Sequence, residues 1–396
     1  MSAIRPPKYV RQILVTLQGR GYPAYLVGGC VRDMLLGVRP HDWDICTGAL
    51  PEQVLALFPG SRPTGLRHGT VTVVLGSRTV EVTTFRTEGS YTDHRRPDMV
   101  SFVGDLTTDL SRRDFTMNAI ALSAEGLIAD PFGGVEDIRA RRIRCVGTPA
   151  ERFEEDALRM LRALRFSAKL GFDVDLITLA AIREKAPLAA HLAAERVRDE
   201  LEKILLSGAP ETFISVSDLG LLDRYLDRRL PAAAGLEALQ SLPRRRGERW
   251  AALCVVLERY GCIPNAGPFA DALRLDKRTG HLCADVAALL RQPPPETPLE
   301  WKRLLRRYGV DTVSCAARCF DAFQGDGCYR ALHTVLKSGE CFSLRHLAVT
   351  GEDLTALGLR GRELGDMLNF LLDYVMEYPA NNRRELLLIL ASRDEE

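Results

Sequence analysis

The sequence changes its pattern once, near residue 150, and this change constrains the fold more than any other feature. Up to about residue 145, strand patterns such as Ala24–Gly28 alternate with helical ones such as Lys8–Arg20. From about Glu151 onward the strand patterns disappear, and Leu, Ala, Arg and Glu recur with helical periodicity. The chain is therefore expected to hold an α/β (α+β) head with a small mixed β-sheet, followed by an all-α remainder.

The composition favours several domains with buried cores. The chain has 396 residues, of which 46% are hydrophobic and 27% charged. No run approaches the roughly 18–20 apolar residues of a membrane span, and the N-terminus lacks the apolar segment of a secretory signal. The ten cysteines are scattered without a C-x-x-C pair, which favours reduced, structural thiols in a cytoplasmic protein. The prolines of Arg291–Pro298 indicate a linker, and a weaker break lies at Arg229–Gly235.

The net charge of +1 conceals local clusters of arginine. Guanidinium groups suit bidentate pairing with phosphates or base edges. A compositional bias toward arginine explains such clusters equally well, so net charge alone leaves open whether nucleic acid is a partner. The clusters lie at Arg95-Arg96, Arg112-Arg113, Arg139–Arg144, Arg159–Arg165 and Arg244–Arg246.

A glycine pair, Gly28-Gly29, stands where a predicted strand passes into a predicted helix. Backbone N–H groups at such a turn favour a phosphate, although a tight turn alone also accounts for two glycines. Asp42 and Asp44 follow shortly, and on a strand their carboxylates project from one face. Two such carboxylates repel each other unless a cation lies between them. Since Mg²⁺ binds one or two carboxylates together with water and substrate phosphates, the pattern predicts a Mg²⁺ site at Asp42 and Asp44.

A third carboxylate is available in a predicted β-hairpin. Thr70–Leu75 and Thr79–Phe85 alternate apolar and polar residues around a short turn, which predicts two antiparallel strands. Glu81 then lies on the polar face of the second strand. If that strand is next to Asp42–Cys46, three acids converge as in metal-assisted phosphoryl or nucleotidyl transfer. An exposed hairpin charge explains Glu81 equally well.

The segment Asp109–Ala119 combines two arginines with polar side chains. Arg112 and Arg113 are suited to clamp a triphosphate, with Asp114 orienting a guanidinium and Asn118 binding a ribose hydroxyl. A helix end with surface ion pairs is the alternative.

The helical pattern of 152–166 has an apolar face and an opposite charged arc that carries Asp156, Arg159 and Arg162. A solvated face with helical ion pairs is the usual explanation of such an arc. The alternative is base recognition, because a carboxylate only accepts hydrogen bonds and a guanidinium only donates them. Cytosine and adenine both present an amino donor beside a ring-nitrogen acceptor. A fixed Asp–Arg pair would therefore accept CTP and ATP and reject UTP and GTP.

In order along the chain, these motifs resemble those of class II, bacterial-type CCA-adding tRNA nucleotidyltransferases of the polymerase β superfamily. The resemblance covers residues 24–206, and the remaining residues match only in length and helical character. The motifs are Val27–Gly37, Asp42-Trp43-Asp44, Arg112–Thr116, Asp130–Gly134, Glu155–Arg159 and Glu195–Glu200.

The resemblance implies four domains and a role for each motif residue. The domains are a catalytic head (1–146), a helical neck (147–208), a helical body (209–298) and a helical tail (299–396) that binds tRNA. Asp42 and Asp44 hold the metal, and Gly28, Gly29 and Arg32 hold the triphosphate. The remaining residues are expected to bind the nucleotide: Arg112, Asp114 and Asn118 at sugar and phosphate, Asp156 and Arg159 at the base, Arg162 at the phosphates, and Arg113 and Arg165 as further nucleotide-binding residues.

In this family the tRNA 3′-hydroxyl attacks the α-phosphate of CTP twice and of ATP once, and pyrophosphate leaves each time. No nucleic-acid template is used. Ser90–Pro97 resembles the loop tied to the switch from C to A addition, which argues against a CC-adding relative. Thr64–Val73 resembles the CCA-adding type rather than the bacterial poly(A) polymerases. An A-adding enzyme stays open, as does a catalytically silent RNA-binding protein, which the paired Asp42 and Asp44 disfavour. No C-terminal His-Asp constellation of a phosphohydrolase is present in the sequence. The oligomeric state stays open.

Overall fold

The computed structural model of the chain describes residues 5–88, 100–325 and 327–392, so the predicted loop Ser90–Pro97 lies outside the described residues. The chain forms two compact units, Met1–Arg224 and Tyr225–Glu396. The expected α/β head followed by helices is confirmed. No helix of the described residues is both long and apolar enough to cross a membrane.

The head is built on a seven-stranded mixed sheet with the order β3-β4-β5-β2-β1-β8-β9. Its one parallel pair is β2 with β5, and the predicted hairpin is the antiparallel pair β4 and β5. The strands of the sheet are β1 (Ala24–Val27), β2 (Asp44–Thr47), β3 (Arg62–Gly65), β4 (Thr70–Leu75), β5 (Arg78–Thr84), β8 (Ala121–Leu122) and β9 (Ile128–Ala129). Two further pairs are β6 (Arg86–Glu88) with β7 (Val100–Phe102), and β10 (Arg142–Ile143) with β11 (Asp173–Val174).

Alternation along the strands places the core. Trp43 and Ile45 are buried next to Asp44, and Val80 and Val82 are buried on either side of the exposed Glu81. Ile45 and Cys46 point to opposite faces of the sheet and are both buried, so apolar residues cover both faces here. One apolar cluster lies on the same face as Asp44, beyond Cys46. This cluster includes Val27, Cys46, Phe85, Leu110, Ala119, Ala121 and Val146.

Ten α-helices belong to the first unit among the residues that the structure describes. They are α1 (Lys8–Gln18), α2 (Gly29–Leu35), α3 (Pro51–Leu57), α4 (Leu106–Ser111), α5 (Gly134–Arg139), α6 (Pro149–Glu155), α7 (Leu158–Leu170), α8 (Leu176–Lys185), α9 (Ala194–Leu205) and α10 (Thr212–Asp218). Short 3₁₀ helices cover Leu66–His68, Thr116–Asn118 and Ala186–His191.

The helix predicted over 152–166 is wrong as a single element, because it is broken at Asp156. Asp156 has an extended backbone (φ −143°, ψ 101°) between α6 and α7. Its carboxylate accepts the Leu158 backbone N–H at 3.1 Å, which offers the chain a local alternative to the helical hydrogen bond. The apolar face of the pattern is confirmed, since Ala157, Leu161, Leu164 and Ala168 are all buried. The short strand β11 is a second departure, as no strand was predicted beyond residue 151.

In the second unit, every regular element among the described residues is a helix. The proline-rich linker 291–298 separates α13 from α14, as predicted, and Gly309 (φ 77°) kinks α14. All ten cysteines of the chain are buried and free, so no disulfide holds either unit together. The helices are α11 (Arg246–Arg259), α12 (Ala266–Ala272), α13 (Lys277–Leu290), α14 (Pro298–Gln324), α15 (Cys328–Ser338), α16 (Gly351–Ala356), α17 (Gly361–Glu377) and α18 (Arg384–Ala391), with 3₁₀ helices at Leu236–Ser241, Leu344–His346 and Pro379–Asn381.

Candidate active site

A cleft of about 710 Å³ lies in the first unit, between the sheet and helix α7. Nine of its described lining residues are arginine or lysine and three are aspartate, an excess of positive charge that favours a polyanionic ligand such as a nucleoside triphosphate. The lining residues are Gly28, Gly29, Arg32, Asp44, His68, Arg86, Arg112, Arg113, Asp114, Asn118, Asp156, Arg159, Arg162, Arg165, Phe166, Lys169 and Arg196.

The Gly28-Gly29 turn forms one wall of the cleft. β1 ends at Val27 and α2 begins at Gly29, and Gly28 has a positive φ of 76° that side chains with a Cβ rarely adopt. A Cβ at Gly28 would lie 3.2 Å from Nη1 of Arg113 and 3.9 Å from Oδ2 of Asp44. The missing side chain therefore leaves open the space between a guanidinium and a carboxylate.

Asp44 and Glu81 are direct neighbours on the parallel strands β2 and β5. Burial raises the pKa of the Asp44 carboxyl above its ordinary value; Glu81 and Asp42 raise it further, and Arg113 opposes them. Such crowding of carboxylates is relieved by a cation. The prediction that Asp42 lies on the same strand is wrong: β2 begins at Asp44, and Asp42 is an exposed residue in the bend before it.

Arg112 and Arg113 share one buried carboxylate, Asp109, which is fully excluded from solvent. Nε and Nη2 of Arg112 donate to Oδ1 of Asp109 at 3.0 and 2.8 Å, and Nη2 of Arg113 donates to Oδ2 at 3.3 Å. Asp109 begins the segment Asp109–Ala119, but no role was predicted for it from the sequence. The i, i+3 and i, i+4 spacing is the signal that would have found it.

Asp114 orients a guanidinium as expected, and the guanidinium is that of Arg162. Oδ2 of Asp114 accepts from Nε and Nη2 of Arg162 at 2.9 and 2.6 Å, and Oδ1 accepts from Nδ2 of Asn118 at 3.2 Å. Oδ1 of Asn118 in turn accepts from Nη1 of Arg32 at 2.8 Å. This chain of hydrogen bonds joins the glycine turn to helix α7. Burial raises the pKa of Asp114, but Arg162, Asn118 and the Phe115 N–H outweigh burial and hold it below its ordinary value.

Asp156 and Arg159 both line the cleft, although they do not share a helix. Oδ2 of Asp156 accepts from Nη2 of Arg196 on α9 at 2.8 Å. Arg159, at the start of α7, donates to the Arg152 carbonyl at 3.1 Å, to the Arg112 carbonyl at 3.2 Å and to the Glu155 carboxylate. Hydrogen bonds to neighbouring residues therefore fix the orientation of both the Asp156 carboxylate and the Arg159 guanidinium.

Arg165 pairs with Glu200 on α9 at 2.5 Å, and its guanidinium lies 3.9 Å from the centre of the Phe166 ring. The same ring has the guanidinium groups of Arg32 and Arg162 at 5.2 and 5.7 Å. Phe166 thus packs among three cations, an arrangement that cation–π attraction stabilises.

Twelve of the fourteen predicted site residues line the cleft, and Asp42 and Glu81 lie outside its lining, near Asp44. Five further residues line the cleft although no role was predicted for them from the sequence: His68, Arg86, Phe166, Lys169 and Arg196. Lys169 and Phe166 follow Arg165 and Arg162 at i+4, so helical spacing signals both. Arg196 lies in the quoted motif Glu195–Glu200. Tertiary folding alone brings His68 and Arg86 to the cleft.

The donor set fits a hard divalent cation that substrate phosphates help to bind. Among residues 5–88, 100–325 and 327–392, no three His, Cys, Asp or Glu side chains are arranged to hold a metal ion by themselves. Asp44 with a neighbouring carboxylate provides one or two oxygen ligands, the number that Mg²⁺ commonly takes from a protein at a phosphate site.

Comparison with known proteins identifies the class of the fold and its site. A family model of the poly A polymerase head domain matches residues 24–144, and a model described as a probable RNA and SrmB-binding site of polymerase A matches residues 171–228. Together with the Gly28-Gly29 turn and the neighbouring carboxylates Asp44 and Glu81, these matches define the class as a nucleotidyltransferase with a helical region similar to an RNA-binding one.

Relatives that span nearly the whole chain narrow the class. The CCA-adding enzyme of Enterococcus faecalis (strain ATCC 700802 / V583) is 36% identical over 98% of this chain and 96% of its own length. That of Geobacillus sp. (strain WCH70) is 42% identical over 86% and 85%. The crystal structure of the Bacillus stearothermophilus CCA-adding enzyme in complex with CTP matches with a TM-score of 0.82 at 35% identity, covering 99% and 98% of the two chains. The chain belongs to the family of bacterial-type CCA-adding enzymes, nucleotidyltransferases that complete the 3′ end of tRNA without a nucleic-acid template.

Proposed function

We propose that this chain adds C, C and A to the 3′ end of tRNA from CTP and ATP, with the cleft of the first unit as its catalytic centre. The observation that carries the proposal is the convergence in one cleft of an arginine-rich wall, the Asp44 carboxylate and the Asp156 and Arg159 side chains, with Glu81 next to Asp44 on the neighbouring strand. A silent RNA-binding protein has no need of a buried carboxylate where it would repel phosphate.

Asp42 and Asp44 are assigned to hold Mg²⁺, with Glu81 as a third acid. The raised pKa of Asp44 supports this assignment, because a cation relieves the repulsion that Glu81 and Asp42 exert on it. When bound, Mg²⁺ polarises the phosphoryl oxygens and lowers the pKa of the attacking hydroxyl. Treatment with EDTA is expected to stop incorporation and added Mg²⁺ to restore it. Restoration by other divalent ions but not by Mg²⁺ would contradict the choice of metal.

The triphosphate is assigned to the glycine turn and the arginines beside it. Gly28, Gly29 and Arg32 line the cleft, and Arg32 is oriented by Asp33 at 2.7 Å and by Asn118. Arg112, Arg113, Arg162 and Arg165 add donors for phosphate and sugar oxygens. Since these groups are held by Asp109, Asp114 and Glu200 beforehand, they need little rearrangement when nucleotide binds.

The base is assigned to Asp156 and Arg159. Asp156 accepts the amino group that cytosine and adenine share, and Arg159 donates to the ring nitrogen beside it. Uracil and guanine present the reverse polarity, so that a donor faces Arg159 and an acceptor faces Asp156, and this mismatch discriminates against them.

The tRNA, recognised at its acceptor stem and elbow, is assigned to the helical tail (299–396). A near-neutral chain is expected to bind tRNA through arginine-rich faces, so binding weakens as salt rises. Retention of tRNA that is independent of salt would contradict this assignment. A cytoplasmic location accords with the free, buried cysteines.

The test is to incubate the purified protein with tRNA lacking its last three nucleotides, CTP, ATP and Mg²⁺, and to sequence the 3′ ends. Addition of C, C and A followed by a stop is expected, and Asp44→Ala serves as the inactive control. Addition of a single A only to tRNA ending in CC would indicate an A-adding enzyme. A ragged A tail would indicate a poly(A) polymerase, and no product with intact tRNA binding would indicate a silent binding protein.

A further inference from the structure

Asp109 occupies an unusual position under the cleft, because its carboxylate is completely buried and serves two neighbouring arginines. Arg112 and Arg113 keep 17% and 19% of their side chains exposed and face the cleft, whereas Asp109 lies beneath them with no exposure. Oδ1 also accepts the backbone N–H of Arg86 at 3.3 Å. A buried carboxylate that accepts four hydrogen bonds from three residues is fixed in orientation and fixes its partners in return.

Arg113 lies between Asp109 and the part of the cleft that holds Asp44. Its Nη1 and the Oδ2 of Asp44 both flank the empty position where Gly28 would carry a Cβ, at 3.2 and 3.9 Å from it. Nη2 of the same guanidinium is held by Asp109. The Arg113 guanidinium is therefore bound to one carboxylate, Asp109, and lies close enough to a second, Asp44, for its charge to act on it.

Arg112 connects Asp109 to Arg159, one of the two residues assigned above to the base. Its guanidinium is bound by Oδ1 of Asp109, and its backbone carbonyl, at the C-terminal end of α4, accepts from Nη2 of Arg159 at 3.2 Å. A helix C-terminus carries partial negative charge, which stabilises a guanidinium placed there. The anchoring of Arg112 thus supports the donor assigned to the base.

We propose that Asp109 is a positioning residue that keeps Arg113 away from Asp44, so that Asp44 can hold the metal, and that fixes Arg112 beneath Arg159. This inference rests on the roles proposed above for Asp44 and Arg159. Asp109 does not touch the substrate; it acts through the two arginines.

Asp109→Asn tests the inference, because it keeps the shape and removes the charge. Arg113 is then drawn to Asp44, and the affinity for Mn²⁺, measured from free Mn²⁺ by electron paramagnetic resonance without turnover, is expected to fall about tenfold, the effect of one hydrogen bond to a charged group. UTP incorporation relative to CTP is expected to rise severalfold. Wild-type CCA addition and its loss in Asp44→Ala are measured alongside, so that failure of the proposed function is distinguished from failure of this inference.

Asp137→Asn is the matched control. Asp137 is another fully buried carboxylate of the same unit, bound by Arg142 at 2.7 Å, Arg144 at 2.9 Å and Thr116 at 2.6 Å, and none of these arginines lines the cleft. It is expected to lower the melting temperature as Asp109→Asn does and to leave Mn²⁺ affinity and nucleotide choice unchanged. Equal shifts in both variants would overturn the inference.

The double variant Asp109→Asn/Arg113→Met covers the case in which the single variant fails to fold. Without the Asp109 charge, two partly buried arginines lack their shared carboxylate, and removing the Arg113 charge reduces the repulsion between them. Mn²⁺ affinity is expected to return to the wild-type value or above it, while the increased use of UTP persists because Arg112 still lacks its anchor. Metal affinity that stays low without Arg113 would overturn the inference.

Discussion

Asp114 of the head and Arg162 of helix α7 form a two-bond ion pair, with Nε and Nη2 of the guanidinium 2.9 and 2.6 Å from one carboxylate oxygen. The residues are 48 positions apart in sequence, and the pair joins the segment Asp109–Ala119 to helix α7. Asp114 is buried, and Arg162 keeps about a third of its side chain exposed. The same guanidinium has its pKa raised, chiefly by the Asp114 charge.

Asp114→Asn is expected to lower the free energy of unfolding by about 1–3 kcal/mol, because a hydrogen bond to a charged group is lost at a largely buried site. It is also expected to raise KM for CTP more than it changes kcat, since Arg162 loses its orientation. Urea unfolding and steady-state kinetics measure the two effects. Asp218→Asn is the control: its pair with Arg183 is exposed, and its loss is expected to cost less than about 1 kcal/mol.

Asp42→Ala and Asp44→Ala are each expected to reduce nucleotide incorporation by at least about 10³-fold. A metal ion at the reacting phosphate contributes several kcal/mol, and about 1.4 kcal/mol corresponds to tenfold in rate. Retention of tRNA on a filter is expected to stay unchanged, because neither carboxylate attracts RNA. Persistent incorporation by both variants would refute the metal assignment.

Asp156→Ala is expected to admit UTP or GTP, or to lose base preference, without losing the fold. One base-pairing contact is removed, which is worth about 1–3 kcal/mol of discrimination and hence about 10–100-fold. Sequencing of extended tRNA 3′ ends with each nucleotide alone gives the ratio. Since Arg196 binds Asp156, Arg196→Met is expected to reduce the discrimination less than Asp156→Ala does. Unaltered nucleotide choice in Asp156→Ala would refute the base-pairing role.

Gly28→Ala is expected to impair nucleotide binding, whereas Gly37→Ala is not. Both glycines have a positive φ, of 76° and 74°, so alanine strains both by about 1–2 kcal/mol. Only at Gly28 does the new methyl group enter the cleft beside Arg113 and Asp44; nothing lies within 4 Å of it at Gly37. Melting temperatures should fall together, and CTP affinity by calorimetry should fall in Gly28→Ala alone. Equal affinities would show that the turn does not bind the triphosphate.

Asp276 is expected to make stability depend on pH in the acid range. Its carboxylate caps α13 through the Thr279 N–H at 3.0 Å, and this bond with the Thr279 hydroxyl holds its pKa at about 2, below the ordinary 3.8. The stabilisation is present above about pH 4 and is lost as pH falls toward 2. Because asparagine also caps helices, Asp276→Asn should lose the charge effect and keep the cap.

The measurement is the free energy of unfolding of wild type and Asp276→Asn at pH 7 and pH 3. Half of the Asp276 side chain is exposed, so the gap between the two proteins is expected to be under about 1 kcal/mol at pH 7 and to narrow at pH 3. A gap that widens as pH falls would contradict the lowered pKa.

The sequence by itself determined the order of the elements and the local chemistry. Alternation along Thr79–Phe85 and the glycines at the end of β1 depend on near neighbours. The hairpin and the passage from strand to helix at Gly28-Gly29 were therefore predicted correctly. The single helix across Asp156 was predicted wrongly. Periodicity does not show that the Asp156 carboxylate accepts the Leu158 backbone N–H and so interrupts the helix.

Only the tertiary structure decided which charges meet. Glu81 lies beside Asp44 because two strands pair in parallel, Asp114 binds Arg162 across 48 residues, and Arg196 reaches Asp156 from another helix. Ion pairs and hydrogen bonds act over a few ångströms in space, whereas sequence patterns report neighbours along the chain. The choice of partner for each arginine was therefore fixed by packing, and with it the geometry of the cleft.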